Sequence, residues 1–81
     1  MAVVTLYGKP GCCLCEEARA VIDAVRADHP FELREVDVSL DAALHRRYGE
    51  RIPVVELNGE EAFELHVDAG SLRGLLGRVG T

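Results

Sequence analysis

The chain has 81 residues, a hydrophobic content of 48% and a formal net charge of −5. A chain of this length holds one domain, because a second hydrophobic core would need more residues. The excess negative charge disfavours nucleic acid and anionic membrane surfaces as partners. We therefore expect a single domain over residues 1–81 that binds neither nucleic acid nor a membrane.

The first strand is predicted from Val3 to Tyr7, an apolar and β-branched run. A run without polar alternation is typical of a central strand that is buried on both faces. This segment is too short for a signal peptide, and no basic region precedes it. No stretch approaches the roughly 20 apolar residues that span a bilayer. We expect a cytoplasmic location, in which cysteines are kept reduced.

All three cysteines fall in the segment Lys9-Pro10-Gly11-Cys12-Cys13-Leu14-Cys15, directly after this strand. Adjacent Cα atoms lie about 3.8 Å apart, below the usual disulfide range of about 4.4–6.8 Å, so a Cys12–Cys13 bridge would be strained. Residues three apart on a first helical turn are neighbours, and Cys12 can therefore pair with Cys15. In a reducing compartment, a C-x-x-C pair is redox-active or metal-binding.

A helix is predicted to follow the cysteines. Its apolar positions recur at helical spacing: Leu14, Ala18, Val21, Ile22 and Val25. Cys12 then lies at the helix start, where free backbone N–H groups and the helix dipole favour a thiolate. The charge of Lys9 adds to this effect. Cys15, one turn further and facing the core, is expected to remain a thiol until it is needed.

The middle of the chain predicts a second strand, Phe31 to Val38, and a short helix, Ser39 to Tyr48. Gly49 is the expected C-cap of that helix. Its apolar residues are spaced four apart: Leu40, Leu44 and Tyr48. A strand, a crossover helix and a second strand form a right-handed parallel unit.

A hairpin is predicted next, with strands Ile52 to Leu57 and Ala62 to Val67 joined at Asn58-Gly59. The proline of the first strand has to lie at its start or on an edge. A strict two-residue turn would place Glu56 opposite Glu61, which their like charges disfavour. A longer loop is the alternative.

A last helix closes the chain, with Asp68 or Ser71 as its N-cap. Its apolar positions are Leu72, Leu75, Leu76 and Val79. The complete order is β-α-β-α-β-β-α. This order predicts an α/β fold with one mixed sheet and helices on both of its faces.

Four segments together resemble the thioredoxin superfamily, and in particular its small glutaredoxin-like members. They are Leu6 to Cys15, Val36-Asp37-Val38, Ile52-Pro53-Val54-Val55 and Asn58-Gly59. The resemblance covers nearly the whole chain and implies a thioredoxin-like fold with a four-stranded sheet.

The resemblance also implies roles for individual residues. Cys12 would be the attacking thiol, Cys15 the resolving thiol and Pro53 the family's cis-proline beside them. The backbone of Ile52 would then be free to pair antiparallel with a substrate strand. We expect Lys9, Ile52, Pro53 and Arg51 to be the substrate-binding residues.

The implied activity is that of a thiol–disulfide oxidoreductase in cell redox homeostasis and electron transport. Its substrates would be disulfide-containing proteins or glutathione disulfide. Its reductant would be glutathione or a flavoprotein resembling thioredoxin reductase. We expect no tightly bound cofactor, no metal and a monomeric state.

The chain departs from this family at two places. Leu14 replaces the aromatic residue that glutaredoxins carry inside the motif. Glutaredoxins also carry a Gly-Gly pair before the last helix, where the helix start takes a glutathione carboxylate, whereas this chain has Asp68 near that point. The cations that could meet the other glutathione carboxylate are Arg46, Arg47 and Arg51.

The alternative function is a metal or iron–sulfur binding module that uses Cys12, Cys13 and Cys15. A closed zinc site needs four ligands, and the chain has neither a second C-x-x-C pair nor a histidine at matching spacing. This alternative would therefore require a cluster that bridges two chains, with glutathione supplying further thiolates.

Overall fold

The computed structural model describes residues 2–78. Its elements are β1 (Val3–Gly8), α1 (Cys13–Asp28), β2 (Glu32–Asp37), a 3₁₀ turn (Val38–Leu40), α2 (Ala42–Tyr48), β3 (Val54–Leu57), β4 (Glu60–Glu64) and α3 (Ala69–Arg78). This is the predicted order of strands and helices. Within residues 2–78, no helix combines the length and the apolar character needed to cross a bilayer.

The four strands form one mixed sheet in the order β2-β1-β3-β4. β1 pairs parallel with β2 and antiparallel with β3, and β3 pairs antiparallel with β4. The chain is thus a parallel βαβ unit extended by an antiparallel hairpin. The predicted α/β fold with a four-stranded mixed sheet is confirmed.

The core lies mainly between the sheet and the pair α1 and α3. This cluster buries Val4, Leu6, Ile22, Val55 and Leu72, among others. α2 covers the opposite face, where Tyr48 packs in one cluster with Val54. Helices therefore lie on both faces of the sheet, as predicted.

β1 is central, but only one of its faces is fully buried. Val4 and Leu6 are buried, whereas Val3, Thr5 and Tyr7 on the other face are half-buried. α2 has only seven residues and cannot cover the whole of that face. The prediction of burial on both faces was therefore wrong for the second face.

The single helix predicted over 39–48 is divided in two. The side chain of Asp37 caps the 3₁₀ turn through the N–H of Ser39. The side chain of Asp41 then starts α2 by accepting the N–H groups of Ala43 and Leu44. Because the chain starts a new helix here, Leu40 does not join the apolar face as predicted and is 84% exposed.

The hairpin has the two-residue turn, so the longer loop was the wrong alternative. Asn58 and Gly59 have φ of 53° and 86°, the pair of positive values that a type I′ turn requires. β4 runs over Glu60–Glu64, rather than the predicted 62–67. Asn58 also accepts the backbone N–H of Val3 at 2.9 Å, which ties the turn to the central strand.

Glu56 and Glu61 face each other across this hairpin, and each has partners elsewhere. The hydroxyls of Tyr7 and Tyr48 donate to the two carboxylate oxygens of Glu56 at 2.9 and 3.2 Å. Arg51 donates to Glu61 at 2.6 Å. These partners offset the repulsion that favoured a longer loop on sequence grounds.

α3 begins at its carboxylate cap. Asp68 accepts the backbone N–H of Ser71 at 2.8 Å, and its C=O accepts that of Leu72. Of the two N-caps considered, Asp68 is the one observed. Leu72 and Leu76 are buried, while the predicted apolar position Val79 lies outside the described residues.

Candidate active site

A tight turn carries the chain from β1 into the cysteines. The N–H of Cys12 donates to the carbonyl of Lys9 at 3.4 Å. Between them lie Pro10 and Gly11, and Gly11 has φ of +81°. Pro followed by a residue with positive φ is typical of a type II turn. The turn places Cys12 directly between the central strand and α1.

Cys12 is the N-cap of α1. Its backbone is extended, with φ of −87° and ψ of 109°, and the N–H of Cys15 donates to its sulfur at 3.3 Å. An N-cap side chain usually offers an oxygen to such a free N–H group. Here the half-buried sulfur takes that place, so a negative charge on the sulfur would meet an N–H dipole and the positive end of the helix.

Cys15 is one turn along the same helix and only 8% exposed. Burial raises the pKa of the Cys15 thiol to about 11, and its hydrogen bond with Cys12 acts in the same direction. The backbone N–H and the charge of Lys9 lower it in part. Cys13 is exposed. The predicted protonated thiol at Cys15 agrees with this environment.

Gly8 makes room for the Cys15 sulfur, a role that sequence reasoning missed. A Cβ atom added at Gly8 would lie 2.9 Å from the Cys15 Sγ, closer than packed atoms tolerate. The sequence suggested only a turn glycine after a strand. The close approach depends on how α1 lies across β1, and no local pattern indicates it.

The connection into β3 lies against the cysteines from the other side. Ile52 is buried in one cluster with Cys15, and Cys12 packs against that cluster. The Ile52–Pro53 peptide bond is cis. Outside the helices and strands of residues 2–78, no backbone hydrogen bond uses the N–H or C=O of Ile52. Ile52 itself is buried, at 7% exposed, and pairing of its backbone with a substrate strand stays a prediction.

The predicted cations have different surroundings. Lys9 is exposed and lines a cavity of about 510 Å³ that also reaches Cys15. Arg51 instead donates to Glu61 at 2.6 Å and to Glu64 at 3.2 Å, and its guanidinium lies over the Tyr48 ring. Thus Lys9 lies beside the dithiol, whereas Arg51 is held by two carboxylates of β4.

At the start of α3, the side chain of Asp68 already accepts a free backbone N–H group, that of Ser71. The hydrogen bond from the N–H of Ser71 lowers the pKa of the Asp68 carboxyl. An incoming carboxylate would have to displace this contact and meet a like charge. The two departures noted in the sequence lie in the first turn of α1, at Leu14, and at the start of α3, at Asp68.

A metal site would need several ligands in one place. Across residues 2–78, no three His, Cys, Asp or Glu side chains come together in an arrangement that could hold a metal ion. Cys13 is exposed while Cys15 is buried, so the three cysteines do not face a common point. The metal-binding alternative thus finds no ligand set within this part of one chain.

The family model of the glutaredoxin-like domain (DUF836) matches residues 3–77. The chain belongs to this glutaredoxin-like family. It is therefore a thioredoxin-superfamily protein, as its sequence motifs predicted.

Three further proteins are similar to this glutaredoxin-like domain, two of them in solved structures. This chain is 31% identical to the structural-genomics target protein XcR50 from X. campestris. The two structures match with a TM-score of 0.78, over 93% of this chain and 96% of XcR50. An uncharacterized protein of Mycobacterium tuberculosis is 29% identical over 93% of this chain and 82% of its own length. A mutant thioredoxin from Halobacterium salinarum, at 23% identity, has the same fold, with a TM-score of 0.69 over 95% of this chain and 73% of that one.

Proposed function

We propose that this glutaredoxin-like domain is a thiol–disulfide oxidoreductase that uses Cys12 and Cys15. The observation that carries the proposal is the Cys12 sulfur at the N-cap of α1, 3.3 Å from the N–H of Cys15. A thiolate is the nucleophile in disulfide exchange, and free N–H groups at a helix start are in general favourable to a negative charge. The second thiol lies one turn away, within the range of a disulfide.

The reaction has two exchange steps. The Cys12 thiolate attacks one sulfur of a substrate disulfide; a new S–S bond forms, the old one breaks, and the leaving thiolate takes a proton. Cys15 then loses its proton and attacks the Cys12 sulfur. The second substrate thiol leaves, and the Cys12–Cys15 disulfide remains. The substrate gains two electrons and two protons, and the domain is oxidised.

The burial of Cys15 divides the two roles. A thiol with a pKa of about 11 is almost fully protonated at neutral pH, so Cys15 does not compete with Cys12 for the incoming disulfide. Cys15 also lies deeper than Cys12, so a substrate reaches Cys12 first. A dithiol reductant, or two molecules of a monothiol such as glutathione, returns the two electrons for the next cycle.

The free backbone of Ile52 supports a binding mode for the substrate. An extended polypeptide can pair with a strand through backbone hydrogen bonds alone. Such pairing at Ile52 would lay the substrate disulfide next to Cys12, because Ile52 and both cysteines meet in one cluster. Lys9, on the cavity that reaches Cys15, would favour an anionic sulfur at this place.

The test is reduction of a model disulfide by wild type and by single Cys→Ser variants. We expect Cys12→Ser to have no activity, and Cys15→Ser to stop at a mixed disulfide that is visible as an added mass. Cys13→Ser is the matched control, since Cys13 is exposed and outside the pair, and it should keep wild-type activity. Full activity of Cys12→Ser, or no trapped species with Cys15→Ser, would refute the roles assigned here.

A further inference from the structure

Leu65 has a backbone conformation that large side chains rarely adopt. Its φ is 66°, in the left-handed region that glycine favours and in which a bulky residue is an outlier. Two hydrogen bonds hold it there: its N–H donates to the carbonyls of Arg51 at 3.1 Å and Pro53 at 2.8 Å. Strain of this kind tends to occur at functional sites.

The strained backbone does not serve to bury the side chain. Leu65 is 48% exposed, and so is the nearby Leu14 at 45%. Both line one groove of about 250 Å³ between α1 and the segment 65–67, with Ala18, Val21 and Val67 on its walls. Of the three large apolar side chains exposed in residues 2–78, two therefore meet in a single groove.

The groove adjoins the dithiol in sequence, through Leu14. Leu14 lies between Cys13 and Cys15 in the first turn of α1. Leu65 is hydrogen-bonded to Pro53, which follows the residue that packs with Cys15. A substrate strand paired at Ile52 would therefore have a neighbouring side chain close to this groove.

The negative charge around the groove favours some ligands over others. Glu17 lines it, together with His66, and exposed Glu64 and Asp68 adjoin the segment 65–67. Glutathione carries two carboxylates and no large apolar side chain, so it suits neither the acidic rim nor the apolar walls. A polypeptide with a basic and a large apolar residue suits both.

We propose that Leu14 and Leu65 form a subsite for a large apolar side chain next to the reacting cysteine of a polypeptide disulfide. Leu65 is then a specificity-determining residue, and a glycine would be the easier residue to place at its backbone angle. This subsite rests on the proposed oxidoreductase function and narrows its substrates: polypeptide disulfides are preferred to glutathione disulfide.

The test compares three disulfides. Two are homodimers of short cysteine peptides that contain a lysine and differ only in Leu or Ala beside the cysteine; the third is glutathione disulfide. We expect wild type to reduce the Leu peptide about tenfold faster than the Ala peptide, the usual range for a few methylene groups in an apolar pocket. Glutathione disulfide should be slowest of the three.

Leu65→Gly separates specificity from folding. Glycine adopts positive φ without strain, so we expect the melting temperature to stay level or rise while the preference for the Leu peptide falls to about twofold or less. Leu14→Ala should reduce the same preference. The matched control is Leu40→Ala, which removes the most exposed leucine far from the groove and should leave the preference unchanged.

The outcomes that would overturn the subsite differ in what else they overturn. If wild type reduces all three disulfides equally well, or Leu65→Gly keeps the full preference, only the subsite is wrong. If wild type reduces none of them although Cys12 and Cys15 are fully reduced at the start, the oxidoreductase function fails and the subsite with it. A loss of stability in Leu65→Gly with unchanged preference would mean that Leu65 has only a structural role.

Discussion

The starts of α1 and α3 are built on the same principle with different atoms. At α3 the exposed carboxylate of Asp68 accepts the N–H of Ser71 at 2.8 Å. At α1 the half-buried sulfur of Cys12 accepts the N–H of Cys15 at 3.3 Å. Oxygen is the stronger acceptor and the common N-cap, and α2 also uses a carboxylate, that of Asp41. The sulfur cap is therefore the exception among these helices.

The difference indicates what each cap is for. The caps of α2 and α3 are exposed carboxylates that satisfy backbone N–H groups. The cap of α1 packs against a second thiol and against Ile52. Sulfur is a weaker hydrogen-bond acceptor than oxygen. Its use as the cap of α1 is explained if the Cys12 sulfur takes part in a reaction. The helix start then stabilises the reactive form as well as the fold.

The largest effect is expected from changing the capping side chains of α1 and α3, Cys12 and Asp68. Cys12→Ser keeps a good N-cap but removes the sulfur, so we expect disulfide reduction to be lost while the melting temperature stays level or rises. Asp68→Cys in a Cys12→Ser background places a sulfur at α3 with no second thiol one turn away, and it should show no disulfide reduction. The melting temperature and the rate of disulfide reduction are measured for both. Activity of Asp68→Cys in a Cys12→Ser background would show that any capping cysteine suffices.

The second prediction concerns the thiol behind the cap. With a pKa of about 11, roughly one Cys15 in ten thousand is a thiolate at pH 7. Only the thiolate attacks, and burial, the largest cause of the raised pKa, persists in the mixed disulfide. Closure of the Cys12–Cys15 disulfide should therefore accelerate by up to about tenfold per pH unit between pH 7 and 8. Release of a peptide thiol from a preformed Cys12 mixed disulfide reports this step, and Cys15→Ser is the control that releases none. A rate that levels off below pH 8 would contradict the buried, protonated thiol.

The placement of the dithiol was predictable because its signals are local. The apolar run 3–7, the Pro10-Gly11 turn and the helical spacing after Cys12 all lie within 25 residues. The same holds for the Asn58-Gly59 turn. Each of these features is fixed by neighbours in sequence, so periodicity and turn chemistry suffice to find them.

The details that were missed depend on residues distant in sequence. The facing pair Glu56 and Glu61 is tolerated because it has other partners. Tyr7 of β1, Tyr48 of α2 and Arg51 of the loop before β3 donate to the two carboxylates. Arg51 was considered for a substrate on its charge alone, whereas in the structure two glutamates of β4 hold it. No local sequence pattern predicts such pairings, because they form only when the sheet and α2 are assembled.

Leu65 was missed for a different reason. Its sequence neighbours favour a strand that continues to Val67, but β4 ends at Glu64 and Leu65 turns into the left-handed region. Turn signals in a sequence are carried by glycine and asparagine, and leucine gives none. The two backbone hydrogen bonds that hold it come from the segment around Pro53, more than ten residues earlier.

A third prediction concerns the space that Gly8 leaves for the Cys15 sulfur. Gly8→Ala would bring a Cβ to 2.9 Å from the Cys15 sulfur, and overpacking of this kind costs about 1–3 kcal/mol. For a domain of this size, each kcal/mol lowers the melting temperature by about 4–8 °C. Gly74→Ala is the matched control, because no atom lies near the added Cβ and alanine favours the helix. Equal stability of the two variants would show that Gly8 is not needed to seat Cys15.

The smallest effect is expected at the carboxylate cap, and its pH dependence tests the physical argument directly. The pKa of Asp68 is lowered in the folded domain by the N–H of Ser71, so the charged form stabilises the fold. This contribution is complete above the unfolded pKa of about 3.9 and is lost as the pH falls through the lower folded value.

Asp68→Asn keeps a capping oxygen but removes the charge. Its melting temperature should therefore lie slightly below that of wild type at pH 7, and the difference should vanish near pH 2. A difference that grows on acidification would mean that the charge of Asp68 opposes the fold, and the parallel between the two helix starts would have to be abandoned.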